Sequence, residues 1–482
     1  MKNYTKLVFG FWFLAFGSLC IFAQQPKPGA AKPIKVPAVS EKKLSNGLKV
    51  ATVERKNVPL VTIQLLIGTG ADGERESLAG LADMTATLLT KGTKTRSAKQ
   101  IAEQIEFLGG SINSGAGWNN SEVSITVSSD KLEQAMTILA DVVMNPTFKD
   151  EEIDLLKGQM LDELAYNLQQ PGFLAGFVSS KYSFDEHPIG GTIESINKIT
   201  REDILNYKKY HYLPDESFLI FTGDVNSIRA NTLAQKFFGR WMKFKFEVKE
   251  LVSFNKEEQN VNSIVKRLLV VDLPDSGQAA VYFNKTIEKI GRKDSKFYSA
   301  SVLNSVLGGG YSSRLNQEIR IKRGLSYGAG SSFAWRGWNT NFGARTQTKN
   351  ESAAEVAELI VGEIKRLTET NVSPTEMMPR KLVLIGDFGR DLETTQGLAD
   401  SLGELYTFGL PTTELNSFMK NVQSVTDSQV RDFAKNYLLG GDLVIVGDYA
   451  KFKDDLAKRF PNMKIDVIKA DELDLSKENL RK

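Results

Sequence analysis

The chain is poor in the residues that most often carry chemistry. It has one cysteine in 482 residues, which excludes an intramolecular disulfide and any multi-cysteine zinc or iron–sulfur site. It has two histidines, His187 and His211. A catalytic metal cluster of two or three histidines of the usual kind cannot come from this chain alone. Charge of one sign is also missing. Sixty-one Lys+Arg against 58 Asp+Glu leave a formal charge of +3. There is no basic excess to argue for nucleic acid and no acidic block to argue for a solvating tail. Long apolar runs are absent except at the start. What is present, 41% hydrophobic and 25% charged residues, is ordinary globular composition, long enough for two or more cored domains.

The one apolar run reads as a secretory signal. Lys2 and Lys6 form its positive end, Leu7 to Phe22 its apolar core, and Ala23 the small residue at the cut. The expectation is a cleaved segment 1–23 and a periplasmic protein. Lipidation at Cys20 and an uncleaved anchor remain as alternatives, the first disfavoured by the large Leu19. Removing Lys2 and Lys6 takes the charge from +3 to 3 − 2 = +1 and removes the thiol. Residues 24–40, with Pro26, Pro28, Pro33 and Pro37 among Lys and Ala, read as a stiff solvated tether.

Beyond the tether, strand and helix patterns alternate. Leu48–Glu54 and Leu60–Ile67 are expected strands. Leu78–Thr90 is an expected helix closed by Gly92, and Ser97–Leu108 places Ile101, Ile105 and Leu108 at helical spacing. Val123, Ile125 and Val127 alternate as one strand face. Leu132–Met144 and about 150–168 are expected helices.

The chain also repeats itself. ITREDILNYKKYHYLPDESFLIFTGD (199–224) and VTDSQVRDFAKNYLLGGDLVIVGD (425–448) share a helix, a short apolar strand and a terminal Gly-Asp. Thr200 and Thr426 fall at helix N-caps. Ile204 matches Val430, Tyr207 matches Phe433, and His211 matches Tyr437. The expected fold class is therefore α+β: two homologous α/β-sandwich halves, each a mainly antiparallel sheet with helices packed on it. The halves are placed at 41–245 and 268–460, with a linker at 246–267 and a C-terminal tail at 461–482.

Several short motifs occur in order: Asn46-Gly47-Leu48-Lys49-Val50, Gly80-Leu81-Ala82, Lys91-Gly92-Thr93, and His187-Pro188 with Gly190-Gly191. In the second half come Leu307-Gly308-Gly309-Gly310, Ser312-Ser313-Arg314-Leu315, Arg320, and Gly324-Leu325-Ser326-Tyr327. Together they resemble the inverted-zincin peptidases, the family of pitrilysin, insulysin and the mitochondrial processing peptidase. The resemblance covers nearly the whole chain after the tether.

In catalytic members of that family Gly-Leu-Ala leads into His-x-x-Glu-His on a helix. Residues at i and i+4 share a helix face and can grip one zinc, and the glutamate at i+3 serves as general base. Here the ligand positions fall on Asp83 and Thr87 and the base position on Ala86. The downstream glutamate persists as Glu163. Carboxylates without imidazole make at most a weak hard-ion site, so no metal is expected in this chain. His187 and His211 are expected as packed or surface residues.

The resemblance also implies that an arginine and a tyrosine of the second half bind substrate and polarise the scissile carbonyl. Arg320 and Tyr327 occupy those positions. The implied function is a non-catalytic subunit of a two-chain zinc peptidase. Its expected partner is a homologous subunit with the zinc motif intact, and its substrates are peptides. The alternative is a scaffold or peptide-binding protein of the same fold, alone or as a homodimer, adding peptides at a strand edge near Asn113 to Val127. Gly308–Gly310 lacks the Gly-Lys-Ser/Thr ending of a phosphate loop and reads as a helix end. Trp335 and Trp338, flanking Arg336-Gly337, read as a packing hairpin.

Overall fold

The structure, a computed structural model, describes residues 34–243, 263–477 and 479–482. The expected signal (1–23), most of the tether and most of the linker lie outside the described residues. Among the described residues no helix is long and apolar enough to cross a membrane.

The first half runs β1 (Ser40–Lys43), β2 (Lys49–Glu54), β3 (Leu60–Ile67), α1 (Leu81–Leu88), α2 (Ala98–Phe107), β4 (Ser111–Ala116) and β5 (Ser121–Ser128). It continues through α3 (Leu132–Met144), α4 (Asp150–Asn167), α5 (Pro171–Tyr182), α6 (Ile193–Lys198), α7 (Arg201–His211), β6 (Ser217–Gly223) and α8 (Ser227–Phe238). The second half repeats this order. It runs β7 (Val265–Asp272), β8 (Ala279–Glu288), α9 (Phe297–Leu307), a π-helical turn (Asn316–Ile321), β9 (Ala329–Trp335) and β10 (Asn339–Thr348). Then come α10 (Ala353–Glu369), α11 (Pro374–Asp391), α12 (Thr395–Thr407), α13 (Glu414–Ser424), α14 (Asp427–Tyr437), β11 (Gly441–Gly447), α15 (Lys453–Arg459) and β12 (Ile465–Lys469).

The two six-stranded sheets have matching orders, β1-β2-β6-β3-β5-β4 and β12-β7-β11-β8-β10-β9. In each, one inner pair is parallel (β2 with β6, β7 with β11) and the remaining core pairs are antiparallel. The halves differ at one edge. The first takes its outer strand from before β2, antiparallel; the second takes β12 from beyond β11, parallel to β7. The expected tail at 461–482 is therefore corrected: it carries a sheet strand, and Leu475 and Leu480 are buried against α5. The linker boundary also moves, because β7 begins at Val265, which is buried and paired with Gly441. Its polar neighbours Lys266 and Arg267 hide that start in the sequence.

The repeated unit holds in detail. Thr200 and Asp203 form a reciprocal capping box, as do Thr426 and Gln429. Tyr207 packs on His211 with ring centroids 4.4 Å apart, and Phe433 packs on Tyr437 at 5.0 Å. The Lys91-Gly92-Thr93 turn has its own anchor. Asp141 on α3 accepts hydrogen bonds from Thr93, Thr95 and Arg96. Burial alone would raise the Asp141 pKa, but these donors and Asn145 hold it below the usual value.

Strand alternation feeds two cores from the first sheet. Val61, Ile63, Leu65 and Ile67 face the helices of their own half. Ala51, Val53, Leu66 and Ile220 face Leu398, Ala399 and Leu402 of α12, which belongs to the second half. The exchange is reciprocal: Leu174, Ala175 and Val178 of α5 cover Leu269, Val271, Ala280, Val444 and Val446 of the second sheet. Each sheet thus carries its own helices on one face and a helix of the other half on the opposite face.

Candidate functional site: a metal helix without ligands and an open arginine–tyrosine segment

Helix α1 is positioned with care. Gly80 caps it at φ +94°, a left-handed value suited to glycine, and sits against the Gly190-Gly191 backbone. The carboxyl of Glu74, with no side-chain exposure, accepts the N–H groups of Gly80 (2.8 Å) and Ala82 (2.6 Å). Burial pushes its pKa up to about 8 despite those donors. Ser195 Oγ donates to Ala79 O at 2.8 Å. The helix that presents ligands in catalytic inverted zincins is thus held in place here, beside edge strand β4.

The side chains it presents do not suit a zinc ion. Asp83 is half-buried, and its nearest donor is the Ala116 N–H at 3.4 Å. Burial raises its pKa, and the charge of Glu163 raises it further. The charge of Glu163 is thus felt at Asp83, and the two carboxylates repel. Ala86 is fully buried, and its carbonyl takes a hydrogen bond from Ser114 Oγ at 2.7 Å. Thr87 offers only a hydroxyl. Two carboxyl groups, one already pushed toward the neutral form, lack the imidazole donors zinc prefers, and position 86 has no base. Among the described residues no group of three or more His, Cys, Asp and Glu is arranged to hold a metal.

The histidines are engaged elsewhere. The His187 ring packs on Trp118 with centroids 5.0 Å apart, and its Nδ1 lies 3.5 Å from Glu74. His211 is the last residue of α7. Burial lowers both pKa values, so both rings are neutral near pH 7.

The second half presents the opposite case. Arg314 and Arg320 lie six positions apart. Arg314 is buried and grips Glu376 with two bonds, 2.7 and 2.9 Å, with Glu363 at 4.0 Å. Arg320 has no ion pair among the described residues; its guanidinium rests 5.0 Å over the Tyr311 ring. It sits in the π-helical turn, where Lys322 N–H reaches back five residues to Gln317 O at 2.9 Å. Such turns are rare and recur at functional sites.

Tyr327 is 90% exposed, with no hydrogen bond to its hydroxyl among the described residues. Its backbone is nevertheless fixed. Ser326 Oγ bonds Thr346 Oγ1 at 2.7 Å, and Thr348 Oγ1 donates to Leu325 O at 2.6 Å. A rigid backbone thus carries an open tyrosine. No hydrogen bond or ion pair joins Arg320 or Tyr327 to Asp83, Ala86, Thr87 or Glu163.

Sequence reasoning missed Glu74, whose only signal is its place six residues before Gly80. It also missed a cluster between the halves. Arg336 forms a bidentate pair with Glu186 (3.1 and 2.9 Å) and stacks over Trp118 at 5.0 Å. Gly308 ends α9, as expected of a turn. Trp335 packs on Phe297 and Phe333, but Trp338 is 88% exposed and does not pack.

Comparison with known proteins adds the following. Residues 49–181 match the family model described as insulinase, peptidase family M16. Residues 198–378 match the model described as the peptidase M16 inactive domain. An uncharacterized zinc protease of Rickettsia bellii is 30% identical over 331 residues, covering 68% of this chain and 77% of its own. One from Rickettsia felis is 28% identical, covering 79% and 91%. Among solved structures, a peptidase M16 inactive domain from Pseudomonas fluorescens matches with a TM-score of 0.75 at 24% identity, covering 85% of this chain and 98% of its own. A protease from Helicobacter pylori matches at 0.78 and 20%, covering 85% and 100%. Both share the two-sheet fold.

Proposed function

The chain belongs to peptidase family M16, and on that premise we propose that it is a non-catalytic member that lends Arg320 and Tyr327 to a zinc-bearing homologous subunit. The observation that carries this reading is a contrast between the two halves of the chain. Helix α1 is built in place without imidazole ligands or a base at position 86, while Arg320 and Tyr327 have no side-chain polar partners among the described residues, on a braced backbone.

The chemistry suits the residues. A guanidinium binds a peptide carbonyl or carboxylate through donors in fixed geometry. A phenol can donate to an oxygen on which charge develops, and losing one such donor costs ~10²–10³ in kcat. The partner would supply the zinc, and peptides would lie between the two chains. Export through the 1–23 segment would place the complex in the periplasm.

The test is reconstitution with a homologue whose His-x-x-Glu-His motif is intact. The pair should cleave peptides faster than the homologue alone, and Arg320→Ala or Tyr327→Phe should each lower kcat by ~10²-fold or more. Equal cleavage by the homologue alone, or unchanged activity in both variants, overturns the reading.

One observation favours a second reading, a peptide-binding scaffold. β4 ends its sheet and leaves one side unpaired, a surface for strand addition. A stable homodimer that binds peptide and ignores every zinc homologue would favour it.

A further inference from the structure

A cavity of about 660 Å³ lies where the two halves meet, away from both α1 and Tyr327. One wall comes from the first half, where Lys49 Nζ sits 4.2 Å over the Phe218 ring. Phe218 stacks on Tyr406 at 4.4 Å, with the rings 13° from parallel. The facing wall is the loop after β8, with Lys289 and Lys293, and the β9–β10 turn, with Trp338. The C-terminal turn of α12, Tyr406 to Gly409, closes one side.

The frame is built rather than loose. Gly291 lies so close to Gly337 that a Cβ there would come within 2.2 Å of the Gly337 carbonyl. Arg292 N–H donates to Arg336 O at 3.1 Å. The buried Arg292 side chain pairs with Glu404 of α12 at 2.5 Å and stacks over Phe297 at 3.5 Å. The loop that bears two lysines is thus tied to the helix end opposite. Lys289 is held at φ +61°, unusual for a residue with a side chain. Gly409 leaves room for Lys293 Nζ, which lies 3.2 Å from where a Cβ would stand.

The electrostatics are unbalanced. Lys49, Lys289 and Lys293 have no carboxylate within ion-pair distance among the described residues. Asp294, which also lines the cavity, is occupied by Lys296 at 3.4 Å and by its backbone N–H. Glu216 is the one remaining acid in the lining. Beside these cations Trp338 keeps 88% of its surface in water with no ring contact. Tryptophan is costly to leave so exposed and is a preferred surface for apolar and cationic contact.

We infer that this cavity binds an aromatic carboxylate, its ring against Trp338 and its anion among Lys49, Lys289 and Lys293. The ligand could be a free small acid or the C-terminal end of a peptide closing on an aromatic residue. The inference does not depend on the shared-site reading.

The test is calorimetric titration of the full chain with 3-phenylpropionate, against 3-phenylpropionamide and propionate. The acid should bind at least ~10-fold more tightly than the amide, in line with a charge-assisted contact. Binding should weaken as salt rises from 0.01 to 0.15 M and the screening length falls from ~30 to ~8 Å. Lys289→Asn keeps a residue suited to the left-handed backbone, and Lys293→Gln keeps the stem. Each should weaken binding severalfold with an unchanged thermal midpoint, and Trp338→Ala should do the same for the ring. A Phe-terminated peptide that competes as the free acid but not as the C-terminal amide assigns the peptide source. Competition by the small acid alone assigns the small molecule. Equal affinity for acid and amide, or no effect of either lysine variant, overturns the inference.

Discussion

Two arginines six residues apart do different jobs, and stability measurements should separate them. Arg314 is buried with Glu376 and Glu363. Arg314→Ala removes the two bonds to Glu376 and leaves that acid only the more distant charges of Arg366 and Arg380, and should cost ~3 kcal/mol of unfolding free energy. Arg320 rests on Tyr311 without an ion pair, so Arg320→Ala should stay within ~0.5 kcal/mol. Urea denaturation of both variants checks this; a large loss in Arg320→Ala would make it a structural residue. Glu74 offers a second test. Its folded pKa, pushed by burial to about 8, lies above the unfolded value near 4.5. The folded state therefore holds this proton more tightly. The stability it provides is complete below about pH 4.5 and is lost as pH rises through 8. Glu74→Gln, which cannot ionise, should flatten the fall in thermal midpoint between pH 5 and 8; an unchanged slope would contradict it. At this scale the sequence was informative where a motif has fixed spacing: Asp83, Ala86, Thr87 and Glu163 could be placed by counting. Glu74, Arg336 and Glu186 were invisible, because their partners are far away in the chain and nothing local marks them.

Elements were more legible than contacts. Apolar periodicity located β2, β3, β5, α2, α3 and α4 to within a few residues, and threonines marked the starts of α7 and α14. Those caps carry a measurable load: Thr200→Ala and Thr426→Ala should each cost ~1 kcal/mol in denaturant unfolding, and no loss would mean the boxes do not act as caps. The edge strands were harder. β12 is five residues long with half-buried side chains, too short and too mixed to show alternation. Least legible was the destination of α5 and α12. Amphipathicity says that a helix has an apolar face, not which sheet it covers. Leu402 of α12, fully buried against the first sheet, should lose ~2–5 kcal/mol on truncation to alanine. If the exchange joins the halves into one unit, calorimetry of Leu402→Ala should show one transition shifted downward, not a new transition for the second half alone.

The whole molecule is a doubled fold, with matching strand orders in its two sheets. The first half fixes helix α1 through its glycine cap and the Glu74 carboxyl, and presents Asp83, Ala86 and Thr87 along it. In the second half Arg320 rests on the Tyr311 ring without an ion pair among the described residues, and Tyr327 is exposed. The repeat was readable from two short segments because a capped helix, a buried strand and Gly-Asp recur in both. The absence of imidazoles was readable by counting along the motif, whereas the junction cavity required both halves in place. The most direct measurement is metal content alongside proteolysis, taken on the purified chain alone and with its zinc-motif homologue. The account predicts no bound zinc and no cleavage by the chain alone, with one zinc per pair and chelator-sensitive cleavage in the complex. Stoichiometric zinc in the lone chain, together with chelator-sensitive cleavage by it unaided, would contradict the account.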